Sequence, residues 1–118
     1  MEIHRLHEML TEAGIEHEWR DRTPNGVVGH LKEVNWGWQI CIYYHNGERM
    51  ISAIEGYGTY GFGGWDHGIC GSDEKDGDLI EIMGLLTPEE ERWDSVVGYL
   101  TAEEVFRRIK EAAECLSK

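Results

Sequence analysis

The chain has 118 residues, of which 23 are acidic and 11 basic, a formal net charge of −12. That length fits one domain, 1–118, and a hydrophobic fraction of 41% with five Trp and five Tyr excludes global disorder. The shortage of Lys and Arg argues against direct nucleic-acid binding, and no apolar run approaches the length of a membrane span.

Residues 2–13 read as a helix, with Ile3, Leu6, Leu10 and Ala13 on one stripe of a 3.6-residue repeat. Gly14 then suits a left-handed helix ending, and Ile15 is placed to pack back on Leu10. From Ile15 the period falls to two: Ile15, His17 and Trp19 alternate with Glu16, Glu18 and Arg20, as in a half-buried strand. Thr23-Pro24-Asn25-Gly26 signals a turn, and 27–34 reads as a weak strand or an ordered loop.

Residues 38–44 and 49–54 predict a hairpin, with Asn46-Gly47 as a two-residue type I′ turn. That register sets Tyr44 against Arg49, Ile42 against Ile51 and Ile40 against Ala53. Both faces of this hairpin are largely apolar, which places it centrally in the sheet. Leu79 to Met83 is a further short strand, with Ile80 and Ile82 on one side.

Thr87-Pro88-Glu89-Glu90 is a helix start, with Thr87 as N-cap, Pro at the first position and Glu at the third. The helix is expected to be short, because 94–98 does not continue its period. A stronger start follows: Thr101 caps, Glu104 is its partner, and Leu100 with Val105 forms a hydrophobic staple. Val105, Ile109, Ala112 and Leu116 make the buried stripe, and Glu103–Arg107, Glu104–Arg108 and Lys110–Glu114 are spaced for exposed ion pairs. The expected fold is α+β: an antiparallel sheet of about four to five strands with N- and C-terminal helices packed on one face.

The three cysteines, Cys41, Cys70 and Cys115, are odd in number and contain no C-x-x-C pair. They imply reduced thiols and a cytoplasmic location, and the N-terminus carries no charged-then-apolar signal. His4, His7 and Glu8 share a helix face, which a polar surface explains better than a metal site. Asp66-His67 with Cys70 has neither an orienting group nor an oxyanion donor, so no catalytic residue is assigned. Gly56-x-Gly58-x-x-Gly61 matches a dinucleotide fingerprint as text, yet no helix and no βαβ unit follow it, and no cofactor is expected.

The charge is uneven. Residues 56–100 hold ten acids and two bases, against nine and five in 1–55 and four of each in 101–118. Within this stretch Tyr60, Phe62 and Trp65 stand among glycines, and Asp66, Asp73, Glu74, Asp76 and Asp78 follow. A field of that sign attracts a basic protein surface, and aromatic rings supply apolar anchors. These eight residues are therefore the candidate partner-binding set. The alternative is a small-ligand or nucleotide-signal pocket built on the aromatic and glycine-rich segment 56–68. An exposed hairpin edge is also compatible with a homodimer.

The segments Glu81-Ile82-Met83-Gly84-Leu85-Leu86-Thr87 and 94–106, with the opening 3–19, resemble small proteins carried by prophages and mobile elements of gut Gram-positive bacteria. The resemblance supplies no catalytic residues. It implies a setting in a bacterial host where small acidic proteins block host defences, anti-CRISPR proteins among them. The expectation is a non-enzymatic, phage-type inhibitor that contacts the basic, nucleic-acid-binding surface of a host defence protein.

Overall fold

The structure is a computed structural model, and residues 2–26, 29, 36–56 and 79–116 of it are described. In chain order the elements are α1 (Glu2–Glu12), β1 (Glu18–Asp21), β2 (Trp38–Tyr43), β3 (Arg49–Glu55), β4 (Ile80–Met83), α2 (Pro88–Glu91), β5 (Val96–Leu100) and α3 (Ala102–Leu116). The five strands form one antiparallel sheet in the order β1-β2-β3-β4-β5. Helix α1 lies on β2 and β3 and packs against α3, which contacts β4. The expected α+β architecture is the one found. Of the sequence-based expectations, the segment 27–34 (save Gly29), Cys70 and the side chains of Cys115 and Leu116 lie outside the described residues.

The strand register sorts the sheet into two faces. Trp19, Ile40, Ala53, Ile82 and Val97 form a row that faces the helices, and all five belong to or pack on the core. Ile3, Leu6 and Leu10 of α1 and Val105 and Ile109 of α3 close over that row. On the opposite face the matching row is Glu18, Cys41, Ser52, Met83 and Val96, which is polar at one end and apolar at the other. Because side chains alternate along each strand, this division follows directly from the period-2 pattern in β2–β4.

Helix α1 ends as its sequence predicts. Ile15 N–H donates to the Leu10 carbonyl at 3.0 Å and Gly14 N–H to the Thr11 carbonyl at 3.1 Å, the two bonds of a Schellman ending. At its other end the Ile3 N–H donates to Glu55 Oε1 at 2.9 Å. Glu55 is wholly buried, and the positive end of the helix compensates a carboxylate that burial alone would disfavour. The same device recurs at α3, whose Ala102 N–H donates to Glu2 Oε1 at 2.9 Å.

The central hairpin keeps its predicted core pairs, Ile40 with Ala53 and Ile42 with Ile51, but its turn differs. Gly47 N–H donates to Tyr44 O at 2.9 Å and Tyr44 N–H to Glu48 O at 2.8 Å, and only Gly47 has positive φ, at 88°. This is a three-residue loop closed by a glycine bulge, in place of type I′, so Tyr43 rather than Tyr44 faces Arg49.

The helix after Thr87 is as short as expected, Pro88–Glu91, and two findings add to the reading of the C-terminal part. Val96–Leu100 is a strand, although its sequence lacks alternation. A bulge explains this: Ile82 faces Val97 and Ile80 faces Leu100, so Gly98 and Tyr99 together oppose Glu81, with Tyr99 at φ 60°. Two α3 side chains, Glu103 and Arg108, reach other elements instead of making the expected i,i+4 pairs. Arg5 of α1 pairs with Glu103, and Arg108 pairs with Glu90 of α2.

Candidate binding surface

The eight residues assigned from sequence, Tyr60, Phe62, Trp65, Asp66, Asp73, Glu74, Asp76 and Asp78, lie outside the described residues. The residues that border this stretch in sequence are described. Ile54 faces Glu81, so β3 ends beside the start of β4. Neighbouring antiparallel strands need a connection of only about two to five residues. Here they are separated by residues 56–79, twenty-four in all, which contain the acidic tract and its aromatic residues.

The start of this stretch is held by a close backbone crossing. Gly37 has φ 76° and Gly56 has φ 132°. A Cβ on Gly37 would collide with the Glu55 carbonyl, and one on Gly56 with the Trp36 carbonyl. Only glycine fits at either position. Arg22 clamps the crossing: its Nη1 donates to Trp36 O at 2.6 Å and its backbone N–H to Gly37 O at 3.1 Å. Burial draws the Arg22 pKa down, and the negative charge of Glu81 opposes that shift.

At the far end of the sheet, α2 begins with the predicted capping box. Glu90 N–H donates to Thr87 Oγ1 at 3.2 Å and Thr87 N–H to Glu90 Oε1 at 2.8 Å. Arg108 then grips the same carboxylate with two bonds, Nη1 to Oε1 at 2.7 Å and Nη2 to Oε2 at 2.8 Å, and also donates to Leu85 O at 3.0 Å. The guanidinium, with Thr87, lowers the Glu90 pKa to about 2. An open cleft of about 370 Å³ lies beside this pair, lined by Leu85, Leu86, Thr87, Arg107, Arg108 and Glu111.

The segment after α2 carries the signal that sequence reasoning missed. Trp93 is 87% exposed, Tyr99 53% and Met83 45%. Three of the four large exposed hydrophobic side chains among the described residues therefore sit on β4, on β5 or in the link that leads into β5. Glu89, Glu91 and Asp94 beside Trp93 are exposed and make no ion pair among the described residues. The combination of acid and ring that marks 60–78 thus recurs at 89–99, where the Glu-Glu-Glu-Arg-Trp-Asp run by itself signals only a helix start.

The opposite edge has a different chemistry. Trp19 of β1 stacks on Trp38 at 4.7 Å and on His7 of α1 at 4.3 Å, with His4 edge-on to both indoles. His17 Nδ1 lies 2.8 Å from Ile15 O, which can only accept, so that nitrogen carries a proton. In the neutral ring Nε2 then accepts, and His7 Nδ1–H donates to it across 2.8 Å. Burial first, then His17 and His4, lower the His7 pKa, while Glu8 acts the other way. The histidines of α1 are therefore engaged with rings, and among the described residues no group of three or more His, Cys, Asp or Glu gathers as a metal site. Cys41, buried on the second face, borders a smaller cleft of about 240 Å³ with Glu16, His17, Glu18 and Tyr43.

No helix among the described residues is long and apolar enough to cross a membrane. Comparison with family models, with curated proteins and with solved structures finds no match to the chain.

Proposed function

We propose that this chain is a non-enzymatic acidic binding protein whose partner is a protein with a basic surface. In the mobile-element setting implied by the sequence resemblance, that surface is the nucleic-acid-binding face of a host defence protein, and the chain acts as a phage-type inhibitor in the bacterial cytoplasm. One observation carries the reading. The acidic and aromatic residues fall in a long stretch of sequence between two strands that already pair, while the described strands and helices share one hydrophobic core. Long insertions at the junction of rigid elements are where binding residues concentrate. Residues 56–100, which contain that stretch, hold two thirds of the chain's negative excess, which favours fast, salt-dependent capture of a cationic face.

The test is affinity capture from host lysate at low and high salt, comparing the native chain with Asp73→Lys/Glu74→Lys/Asp76→Lys. The expected result is a retained basic protein that is lost at high salt and lost with the triple variant. Retention indifferent to both would remove the electrostatic basis of the proposal.

A further inference from the structure

Resting on that reading, we propose that the outer edge of β5, flanked by Trp93 and Tyr99, is a strand-addition site for an extended, lysine- or arginine-rich segment of the protein partner. The sheet order makes β5 a terminal strand, and among the described residues no strand pairs with its outer side. The backbone donors and acceptors along such an edge template another chain unless something blunts them. The other edge is blunted by charge, since β1 is Glu-Trp-Arg-Asp. The β5 sequence, Val-Val-Gly-Tyr-Leu, carries no charge, and although the bulge at Gly98–Tyr99 interrupts the edge, Val96 and Val97 stay in regular pairing.

The large exposed rings on β5 and in the link that leads into it are anchors without a pocket. Trp93 at 87% exposure leaves nearly its whole indole in water, where burial against a partner is strongly favourable. Tyr99 is held outward by φ 60°, a conformation costly for a residue with a Cβ. Met83 continues the apolar surface opposite Val96 on the second face.

Charge decides the occupant. Glu89, Glu91 and Asp94 surround Trp93 in sequence with Arg92 as the single base between them. A second copy would bring these acids against their own kind, and two chains of net charge −12 repel. A basic strand meets the same acids with opposite sign while its backbone completes the edge.

The experiment uses the full chain and a synthetic peptide of alternating lysine and valine, with a glutamate–valine peptide as control, at about 20 mM salt where screening is weak. Expected is saturable binding of the lysine peptide only, with new hydrogen-exchange protection in 96–100 and a loss of affinity of about tenfold or more in Trp93→Ala and in Tyr99→Gly. Tyr99→Gly suits the positive φ, so its fold is retained or improved. Absence of binding, protection elsewhere, affinity unchanged in both variants, or a β5-mediated homodimer in sedimentation would each overturn the site. Lysate capture separates this failure from that of the wider reading. Capture that survives Trp93→Ala/Tyr99→Gly but is lost with the Asp73 triple variant strikes the β5 site alone; capture indifferent to both the triple variant and salt strikes the acidic-binding reading.

Discussion

The two edges of this sheet are finished in opposite ways. At β1 the exposed strand is charged, its Trp19 is stacked between His7 and Trp38, and Arg22 just beyond it clamps the Gly37–Gly56 crossing. At β5 the strand is uncharged and bulged, and Tyr99 and the nearby Trp93 face solvent. One edge uses its aromatic residues to hold the fold together, while the other leaves them available. The lesson is that a Trp at a sheet edge has no fixed role; its exposure and its ring partners decide between stability and recognition.

That contrast breaks down unless changes on the β1 side cost stability and changes on the β5 side cost binding. The largest effect is expected for Gly37→Ala, which places a methyl group against the Glu55 carbonyl at a positive φ. Urea denaturation should register a loss of more than about 3 kcal/mol, or failure to fold. Trp19→Ala should cost about 2 kcal/mol in the same measurement, because it removes a half-buried ring that spans His7 and Trp38.

Arg108→Met tests the support beneath the β5 side and should cost about 1–2 kcal/mol at pH 7. The sign with pH follows from Glu90, whose folded pKa of about 2 lies below the ordinary 4.5. Its contribution is complete above 4.5 and is lost as pH falls from there toward 2. The native chain should therefore lose more stability than Arg108→Met across that window in acid titrations followed by circular dichroism.

The His7–His17 contact gives a smaller effect at higher pH. The folded His7 pKa is lowered from 6.5, so the unfolded chain takes up the proton first and stability declines as pH falls through that value. Tm measured from pH 7.5 to 5.5 should fall less steeply in His17→Gln, which removes the neighbouring ring. The smallest effect is expected for Trp93→Ala, within about 0.5 kcal/mol of the native chain. A loss above about 1 kcal/mol would mean that Trp93 is structural and that the contrast between the edges is false.

Much of the scaffold was legible because its signals are local. The α1 stripe, its Schellman ending, the capping box at Thr87 and the Ile40–Ala53 and Ile42–Ile51 pairs each depend on a few adjacent residues. What escaped depends on distant ones. Val96–Leu100 has no alternating pattern because its bulge changes the spacing midway, and only β4 beside it reveals a strand. Arg108 has Glu104 four residues earlier, yet Glu90 offers a bidentate, partly buried partner that a helical spacing rule cannot see. The turn at Gly47 followed the bulge on β3, whereas Asn-Gly composition alone favours type I′. The partner-binding set was drawn from composition, which identifies a segment and its charge. The β5 surface required the strand order, since nothing in the sequence says which strand ends the sheet.

Glu55 and Glu2 lend the molecule a further property. Strand β3 supplies the acceptor that starts α1, and α1 in turn supplies the acceptor that starts α3. The three elements are thus linked in series: freeing the sheet removes an acceptor from the start of the first helix, and freeing the first helix removes one from the start of the last, which keeps its Thr101 cap. Melting should consequently be all-or-none, with amide exchange in both long helices converging on a shared opening free energy instead of fraying helix by helix.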